Sequence, residues 1–476
     1  MVAWRREYVG GWGGAVGGIA EVARPVTADE ILGAFADSAT RASCSVALRG
    51  SGCSYGDAAT NTGGRVLNLS DMNRILAFDP VNGIVRVEPG VRIRDLWRHG
   101  IRYGWWPAVV PGTMEVSVGG AAAMNVHGKD NFAVGPFGDH VLAFSMISPK
   151  GEVLVCDRSQ NSELFHAAIS GFGMLGCFTE LTLRLKKVHS GRLRAWAIPT
   201  HHLEDSIQAL EKCRGEADYL VGWIDLHAKG ASLGRGLLHR GDLLEPGEDP
   251  EGESFLRPER QEVPTKLFGV VPKGWIWPGM WAAYHFKLTG LVNRAKWGAG
   301  FSEERNSPYL QTHGAFHFLL DYVPRWHWML KPGGLIQFQP FVPREASVSV
   351  FRSLIESCHR AGFFPYLGVL KKHRPDPFLM THAVDGYSLA MEFGVSTDPH
   401  KRRELWDLTQ RLAEVVLDAG GRFYYAKDAT LLASSFDRIH GLEAAGKFRA
   451  LKNRLDPQQT LQTDLSRRIL GDSGAP

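Results

Sequence analysis

The densest chemical signal in the chain is the run Arg49-Gly-Ser-Gly-Cys-Ser-Tyr-Gly-Asp57, which directly follows a short strand-like segment, residues 45–48. Gly50 and Gly52 remove side chains where successive backbone N–H groups can converge on an anion, and Ser54 adds a hydroxyl donor. A helix does not follow, because residues 61–64 are rich in glycine, so the run is not a Rossmann fingerprint. These residues predict a diphosphate-binding loop, and the alternative is a plain glycine turn in a hairpin.

Two further glycine elements favour the diphosphate-binding loop. Residues 111–113 (Pro-Gly-Thr) lead into Ser117-Val-Gly-Gly120 and a run of small residues, which predicts a turn and then a helix. Paired glycines at a helix start let a flat ligand lie against the backbone, where the helix dipole attracts an anion. A third element, residues 170–176, precedes another predicted strand. Several such sites in one part of the chain favour a long dinucleotide.

Polar side chains suited to an alcohol substrate lie further along the chain. Lys427 ends a predicted apolar strand, residues 422–426, a position where an isolated lysine is usually a surface residue. Gln337 and Gln339 share one face of a predicted strand, as a sugar-hydroxyl site requires, although exposed glutamines on an edge strand fit the same spacing. His127 closes the small-residue helix, and its alternative role is to bond a helix-end carbonyl. No second histidine stands at metal-ligand spacing, so no metal is predicted.

The elements that must position these residues form an α+β pattern. A chain of 476 residues has room for about three compact units. Short strands and helices alternate through residues 1–190, whereas from residue 191 longer strands alternate with amphipathic helices such as 203–213 and 346–361. A strand and a helix resume after residue 420. We therefore predict a first domain over 1–190, a second over 191–419 and a C-terminal segment over 420–476.

Composition excludes several classes of protein. Hydrophobic residues make up 44% and charged residues 22%, as in globular proteins, and no apolar run approaches the ~18 residues of a membrane span. The net charge of +4 is too small and too scattered for a nucleic-acid-binding surface. Six cysteines without a CxxC pair disfavour a zinc ribbon and a disulfide scaffold, which predicts a reducing, cytoplasmic location.

The order of these motifs resembles one family of flavoproteins. Residues 15–190 are similar to the FAD-binding domain of the vanillyl-alcohol-oxidase-like enzymes, the PCMH type, and most similar to the branch of decaprenylphosphoryl-β-D-ribose 2-oxidases. The motifs are RGSGCSYGD (49–57), PGT (111–113), SVGGAAAMNVHGK (117–129), GPFGDHV (135–141), SGFGMLG (170–176) and GGRFYYAKD (420–428). Their joint occurrence is more specific than any single motif, and the resemblance covers nearly the whole chain, least over residues 242–330.

The resemblance implies an α+β fold of two domains. Residues 1–190, as two subdomains, and residues 420–476 would hold FAD, while 191–419 form an antiparallel sheet over the flavin ring. It implies FAD contacts at Arg49, Gly50, Ser51, Gly52, Cys53, Ser54, Tyr55, Gly56, Asp57, Gly112, Thr113, Ser117, Val118, Gly119, Gly120, Met124, Asn125, His127, Gly128, Phe178 and Tyr424. It implies substrate contacts at Gln337, Gln339, Lys371, Ser388 and Lys427. The expected catalytic residues are Lys427, His127 and Tyr55.

Two parts of the chain depart from the family pattern. Many relatives carry in the first glycine loop a histidine that bonds covalently to the flavin, whereas this chain has Cys53. Attachment through histidine is thus excluded there, and noncovalent FAD is expected, with a cysteinyl link as the alternative. Ser388 and Ala390 replace the asparagine and cysteine of the better-known enzymes of that branch. These two substitutions leave the identity of the substrate open.

The expected reaction is oxidation of a secondary alcohol of a sugar or polyol to a ketone. Alcohol oxidation sends a hydride to flavin N5 and the hydroxyl proton to a base, here Lys427. By resemblance, the substrate is a polyprenylphosphoryl ribose, and a separate short-chain reductase completes a 2-epimerisation in cell-wall biosynthesis. The alternatives are an alditol or aldonolactone oxidase acting on a free small molecule and a flavin-binding protein without turnover.

Six tryptophans lie in residues 275–328, after an acidic stretch over 242–264. They predict a mobile lid, a peripheral membrane contact for a lipid-linked substrate, or a buried part of the core. A lipid-handling site needs an apolar channel beneath residues 264–330, whereas a free polyol needs a closed polar pocket.

Overall fold

The chain folds around three β-sheets, which a computed structural model describes over residues 2–40, 44–263, 266–267, 271–301 and 307–471. The first sheet contains, in spatial order, the strands Arg5–Gly10, Gly17–Ala23, Arg65–Asn68 and Val46–Arg49. Its first pair is antiparallel and the other two pairs are parallel. The strand Val46–Arg49 ends where the first glycine loop begins, so this sheet anchors the start of that loop.

The second sheet is antiparallel and is built on one long strand, Cys177–Lys187. Its spatial order is Ile75–Asp79, Ile84–Val87, Cys177–Lys187, Val141–Ile147 and Val153–Asp157, and Trp105–Pro107 pairs with the far end of the long strand. Leu181, Leu183 and Leu185 alternate along the long strand and are buried, as expected for one core-facing side. The third glycine element, residues 170–176, leads directly into this strand.

The third sheet is the largest, and its described strands pair with their neighbours in antiparallel fashion. Its spatial order is Tyr309–Thr312, Arg192–Thr200, Gly236–Asp242, Tyr219–Ile224, Gly368–His373, Gly386–Gly394, Pro340–Pro343 and Arg422–Phe423, and Leu335–Phe338 also pairs with Gly386–Gly394. A small separate hairpin joins Lys266–Leu267 to Val271–Pro272. The predicted antiparallel sheet in this part of the chain is confirmed.

Helices connect the strands and cover the sheets. They span Ala28–Ala39, Ile93–Gly100, Val118–Ala123, Asn131–Val134, Ser162–Ala168, Leu203–Cys213, Gly252–Phe255, Pro258–Gln261, Ile276–His285, Thr289–Gly298, His313–His317, Ser347–Arg360, Pro399–Asp418, Ser434–His440, Leu442–Leu455 and Asp464–Leu470. Thr27 and Asp398 begin two of these helices by accepting a hydrogen bond from a backbone N–H of the first turn. Among the described residues, no helix combines the length and apolar character that crossing a membrane requires.

The C-terminal segment contacts both the third sheet and the first sheet. Arg422–Phe423 belongs to the third sheet, while the N–H of Val46, in the first sheet, donates to the carbonyl of Thr460 at 2.7 Å. The guanidinium of Arg468 donates to Asp57 at 2.8 and 2.9 Å and to Asp428 at 2.8 Å. Arg468 therefore joins the end of the first glycine loop to the end of the GGRFYYAKD motif.

The α+β class is confirmed, and two local predictions are wrong. The strand predicted over 422–426 contains only Arg422–Phe423, because the chain then turns so that the carbonyl of Ala426 accepts from the N–H of Tyr55. The small-residue helix ends at Ala123, so His127 lies beyond the helix and does not close it. The domain boundaries at residues 190 and 419 stay a prediction.

Candidate active site

A cavity of about 490 Å³ takes wall residues from all three sheets, a size typical of ligand sites. Most of the residues predicted from the sequence line it: Arg49, Gly50, Ser51, Gly52, Cys53, Ser54, Tyr55, Gly112, Thr113, Ser117, Gly119, Gly120, Met124, His127, Phe178, Gln337, Gln339, Lys371, Tyr424 and Lys427. The fold thus gathers residues that lie almost the full length of the chain apart.

Six predicted site residues lie outside the cavity wall and contact the residues behind it: Gly56, Asp57, Val118, Asn125, Gly128 and Ser388. Asp57 pairs with Arg468, and the side-chain oxygen of Asn125 accepts from the N–H of Gly138 at 2.9 Å. The hydroxyl of Ser388 lies 2.7 Å from Nε2 of His373. The structure therefore gives these residues contacts that support the wall, and a direct ligand contact for them stays a prediction.

The first two glycine elements meet face to face. A Cβ at Gly50 would lie 2.0 Å from the hydroxyl oxygen of Ser117, and Gly52 has a φ of +70°, which favours glycine. The hydroxyl of Ser51 is buried in the cavity wall without a hydrogen-bond partner among the described residues. A backbone cradle with an unsatisfied hydroxyl is what a polyanionic dinucleotide would occupy, so these residues fit the diphosphate of FAD.

Lys427 and Tyr55 form the centre of the polar wall. The ammonium of Lys427 lies 3.3 Å from the centroid of the Tyr55 ring, a cation–π contact, and Trp12 packs on the same ring at 4.5 Å. The turn over 424–427 and the backbone bond from Tyr55 to Ala426 hold both side chains in place. A lysine enclosed in this way is positioned to exchange a proton with a ligand hydroxyl.

Glu392 is the carboxylate of this cavity wall, and the sequence predictions did not include it. Gln337 donates to Oε1 of Glu392 at 2.7 Å, while Oε2 is buried without a partner among the described residues. Burial raises the pKa of Glu392 above its ordinary value and lowers the pKa of Lys427 below its ordinary value. The charge of each group partly offsets the shift of the other. The two groups therefore titrate as a pair, because the charge state of each sets the pKa of the other.

A second polar group surrounds His127. The Gln339 amide lies 3.0 Å from Nε2 of His127, and the Lys371 ammonium lies 3.3 Å from Nδ1. Burial and then the charge of Lys371 hold the pKa of His127 well below its usual value, so the ring is neutral. Both glutamines are buried, so the alternative of exposed glutamines on an edge strand is wrong.

Sequence reasoning missed several polar wall residues, among them Glu392, Lys129 and His317. Glu392 had a usable signal, because period-two spacing places it on the same strand face as the predicted site residue Ser388. Lys129 lay within a quoted motif without an assigned role. His317 had no signal, because a short helix from a distant part of the chain brings it to the cavity.

Apolar side chains from the tryptophan-rich part of the chain line another part of the cavity wall. They are Met280, Leu319, Leu320, Val323 and Trp326. Trp326 is buried, whereas Trp275 is 78% exposed, so the tryptophans divide between the core and the surface. The cavity therefore combines a polar wall around Lys427 with an apolar wall formed by these five side chains.

Glycine cradles that fit a dinucleotide, facing a buried lysine in one cavity, define an FAD-dependent oxidoreductase. An FAD-binding domain model matches residues 19–157. The chain is 27% identical over 475 residues to decaprenylphosphoryl-beta-D-ribose oxidase of Mycolicibacterium smegmatis, with 96% of each chain covered. Residues 19–157 therefore form a PCMH-type FAD-binding domain, and the chain is an FAD-dependent oxidoreductase with FAD as its cofactor.

Two other relatives match about a third of this chain. D-lactate dehydrogenase of Anaerostipes hadrus is 32% identical over 157 residues, which cover 32% of this chain and 33% of that protein. L-gulonolactone oxidase of Bos taurus is 27% identical over 161 residues, 34% of this chain and 33% of that protein. The similarity to these enzymes is thus confined to about a third of each chain.

We expect the flavin to be bound without a covalent link to Cys53. Burial raises the pKa of the Cys53 thiol to about 11, so the nucleophilic thiolate is scarce at neutral pH. Acid precipitation of the purified holoenzyme should release all flavin into the supernatant, and Cys53→Ser should bind and release the same amount. Flavin that stays in the wild-type pellet and leaves the Cys53→Ser pellet would contradict this expectation.

Proposed function

We propose that the protein oxidises a ring secondary alcohol of a polyprenylphosphoryl pentose, such as ribose, to a ketone. The observation that carries the proposal is the apolar wall of Met280, Leu319, Leu320, Val323 and Trp326 beside the polar wall around Lys427. A lipid-linked sugar needs both kinds of surface in one cavity, whereas a free alditol or lactone needs only the polar one. Similarity over 96% of the chain to an enzyme named for a decaprenylphosphoryl ribose supports the same substrate class.

The residues around the cavity suggest how the alcohol is held. Bound FAD would supply the hydride acceptor at N5. Lys427, whose pKa is lowered, takes the proton of the reacting hydroxyl as its neutral amine, and the ring of Tyr55 keeps its stem in place. Gln339 and Lys371 face the same space and are positioned to bind other polar groups of the substrate. The buried wall excludes water from this exchange.

A ketone product implies a second enzyme if the net reaction is an epimerisation. Re-reduction of the ketone from the other face gives the 2-epimer, and a short-chain reductase would supply that step. We propose this partner, a role in cell-wall biosynthesis and a cytoplasmic site of action as parts of the same hypothesis.

The central test is anaerobic reduction of the bound flavin. A prenylphosphoryl riboside should bleach the long-wavelength flavin absorbance, whereas free ribose, an alditol and an aldonolactone should bleach it far more slowly. Fast bleaching by the free alditol or lactone would replace the proposal with a small-molecule oxidase. A yellow holoenzyme that none of these compounds bleaches would refute it.

Lys427→Met should slow flavin reduction by about 10²–10⁴-fold, the range for loss of an acid–base group. The wild-type rate should rise with pH as Lys427 loses its proton. Glu392→Gln should move that rise to lower pH, because the negative charge of Glu392 raises the pKa of Lys427. Lys447→Met, at an exposed helix position, is the matched control. An unchanged rate in Lys427→Met, or a rise that moves to higher pH in Glu392→Gln, would contradict this role.

We also propose that the helices Ile276–His285 and Thr289–Gly298 contact an anionic membrane surface, here called the helical face. Its exposed apolar side chains include Trp275 and Phe286, 78% and 70% exposed, together with Trp281, Leu288, Leu291 and Val292. Residues 263–302 contain five lysines and arginines and no aspartate or glutamate. Aromatic and aliphatic side chains beside basic ones are typical of interfacial helices. Met280, in the first of these helices, also lines the cavity.

We expect the protein to cosediment with vesicles that contain phosphatidylglycerol and much less with pure phosphatidylcholine vesicles. The double variant Trp275→Ser with Phe286→Ser should bind at least tenfold more weakly, since each buried side chain contributes about 1.5–3 kcal/mol. The control Val81→Ser with Leu442→Ser changes side chains that are equally exposed elsewhere. An equal loss of vesicle binding in both double variants, or binding that does not depend on vesicle charge, would rule out the helical face as the membrane contact.

A further inference from the structure

The cavity wall contains two lysines, Lys129 and Lys371, that form no ion pair within the part of the chain that the structure describes. Lys129 is 8% exposed, and its ammonium donates to the backbone carbonyls of Phe316 and His317. Lys371 faces His127 at 3.3 Å. Among the described residues neither lysine forms an ion pair, since the nearby Asp130 pairs with Lys186 at 3.0 Å. Buried charges are costly unless they are paired, so this part of the wall is incomplete without an anion.

A third group points to a ligand at the same place. His317 is 1% exposed, lines the cavity and has no hydrogen-bond partner at either ring nitrogen among the described residues. Its ring packs against Tyr219 at 4.5 Å, and its backbone carbonyl accepts from Lys129. A buried imidazole with two free nitrogens can donate one hydrogen bond to a ligand oxygen.

Backbone contacts bring Lys129 and Lys371 to the same pair of strands. The carbonyl of Lys129 accepts from the N–H of Leu220, in the strand Tyr219–Ile224 of the third sheet. Gly222 of that strand pairs with Leu370, which directly precedes Lys371. Both lysines therefore line one part of the cavity wall, and the charge of Lys371 also lowers the pKa of Lys427.

We propose that Lys129, Lys371 and His317 form a subsite for the phosphate ester of the substrate. The inference rests on the proposed function and extends it, because it locates the group that joins the sugar to the lipid. A phosphate ester supplies the missing negative charge and enough oxygens for two ammonium groups and one imidazole. With the phosphate held there, the ring carbon next to the ester carbon would reach Lys427, and the lipid would leave along the apolar wall. The subsite would therefore select the hydroxyl that is oxidised.

The test uses farnesyl phosphate, which carries no sugar to oxidise, and farnesol, which lacks the charge. Binding to the oxidised holoenzyme is followed by calorimetry and by the perturbation of flavin absorbance. Wild-type protein should bind farnesyl phosphate at least tenfold more tightly than farnesol, and inorganic phosphate should compete with the former only. Lys129→Met should abolish the difference and leave the affinity for farnesol unchanged, whereas Lys447→Met should change neither.

Equal affinities of the wild-type protein for the two ligands, or a preference that survives in Lys129→Met, would overturn the subsite. If Lys129→Met loses flavin or its native melting temperature, Lys371→Met provides the same comparison. The measurement is independent of turnover, so it separates the two hypotheses. Lysine-dependent binding of farnesyl phosphate without bleaching by any pentoside would refute the proposed function and retain the subsite. If a pentoside bleaches the flavin but the protein does not prefer farnesyl phosphate to farnesol, the proposed function stands and the subsite is refuted.

Discussion

The site depends on one close backbone contact between two distant motifs. The N–H of Tyr55 donates to the carbonyl of Ala426 at 2.8 Å, and a Cβ at Gly56 would lie only 1.7 Å from the carbonyl oxygen of Asp428. Any other residue at position 56 would push these two backbone segments apart. Because Lys427 lies between these two contact points, its side chain must lie against Tyr55. Arg468, held by Asp57 and Asp428, fastens the same junction from behind.

Charge inside the cavity follows from this enclosure. The wall contains four lysines, Lys129, Lys296, Lys371 and Lys427, and the single carboxylate Glu392 among the residues that line it. Low polarity around them lowers the pKa of Lys371 to about 8 and lowers that of Lys427 as well. The low polarity prepares Lys427 to accept a proton, and it leaves Lys129 and Lys371 in need of an anionic ligand. Both consequences suit an anionic alcohol substrate.

Much of the fold followed from local pattern. Alternating apolar residues marked strands such as Arg65–Asn68 and Cys177–Lys187, and turn chemistry marked the glycine elements. Prediction was wrong where tertiary contacts overrode local preference. Residues 424–426 continue an apolar strand pattern, yet the chain turns there, because the carbonyl of Ala426 accepts a hydrogen bond from the N–H of Tyr55. The tryptophans could not be assigned from composition, since Trp326 is buried and Trp275 is exposed although both follow similar sequence.

The sequence by itself determined the α+β class, the three glycine elements, FAD as the cofactor and many of the residues that line the cavity, because each of these depends on residue type over short stretches. The tertiary structure decided which polar groups face one another. Glu392 meets Gln337 through sheet register, and Lys129 meets His317 through a contact between segments almost 190 residues apart. It also decided that the cavity has an apolar wall beside its polar one. Such pairings depend on how sheets and helices pack, and neither composition nor spacing along the chain contains that information.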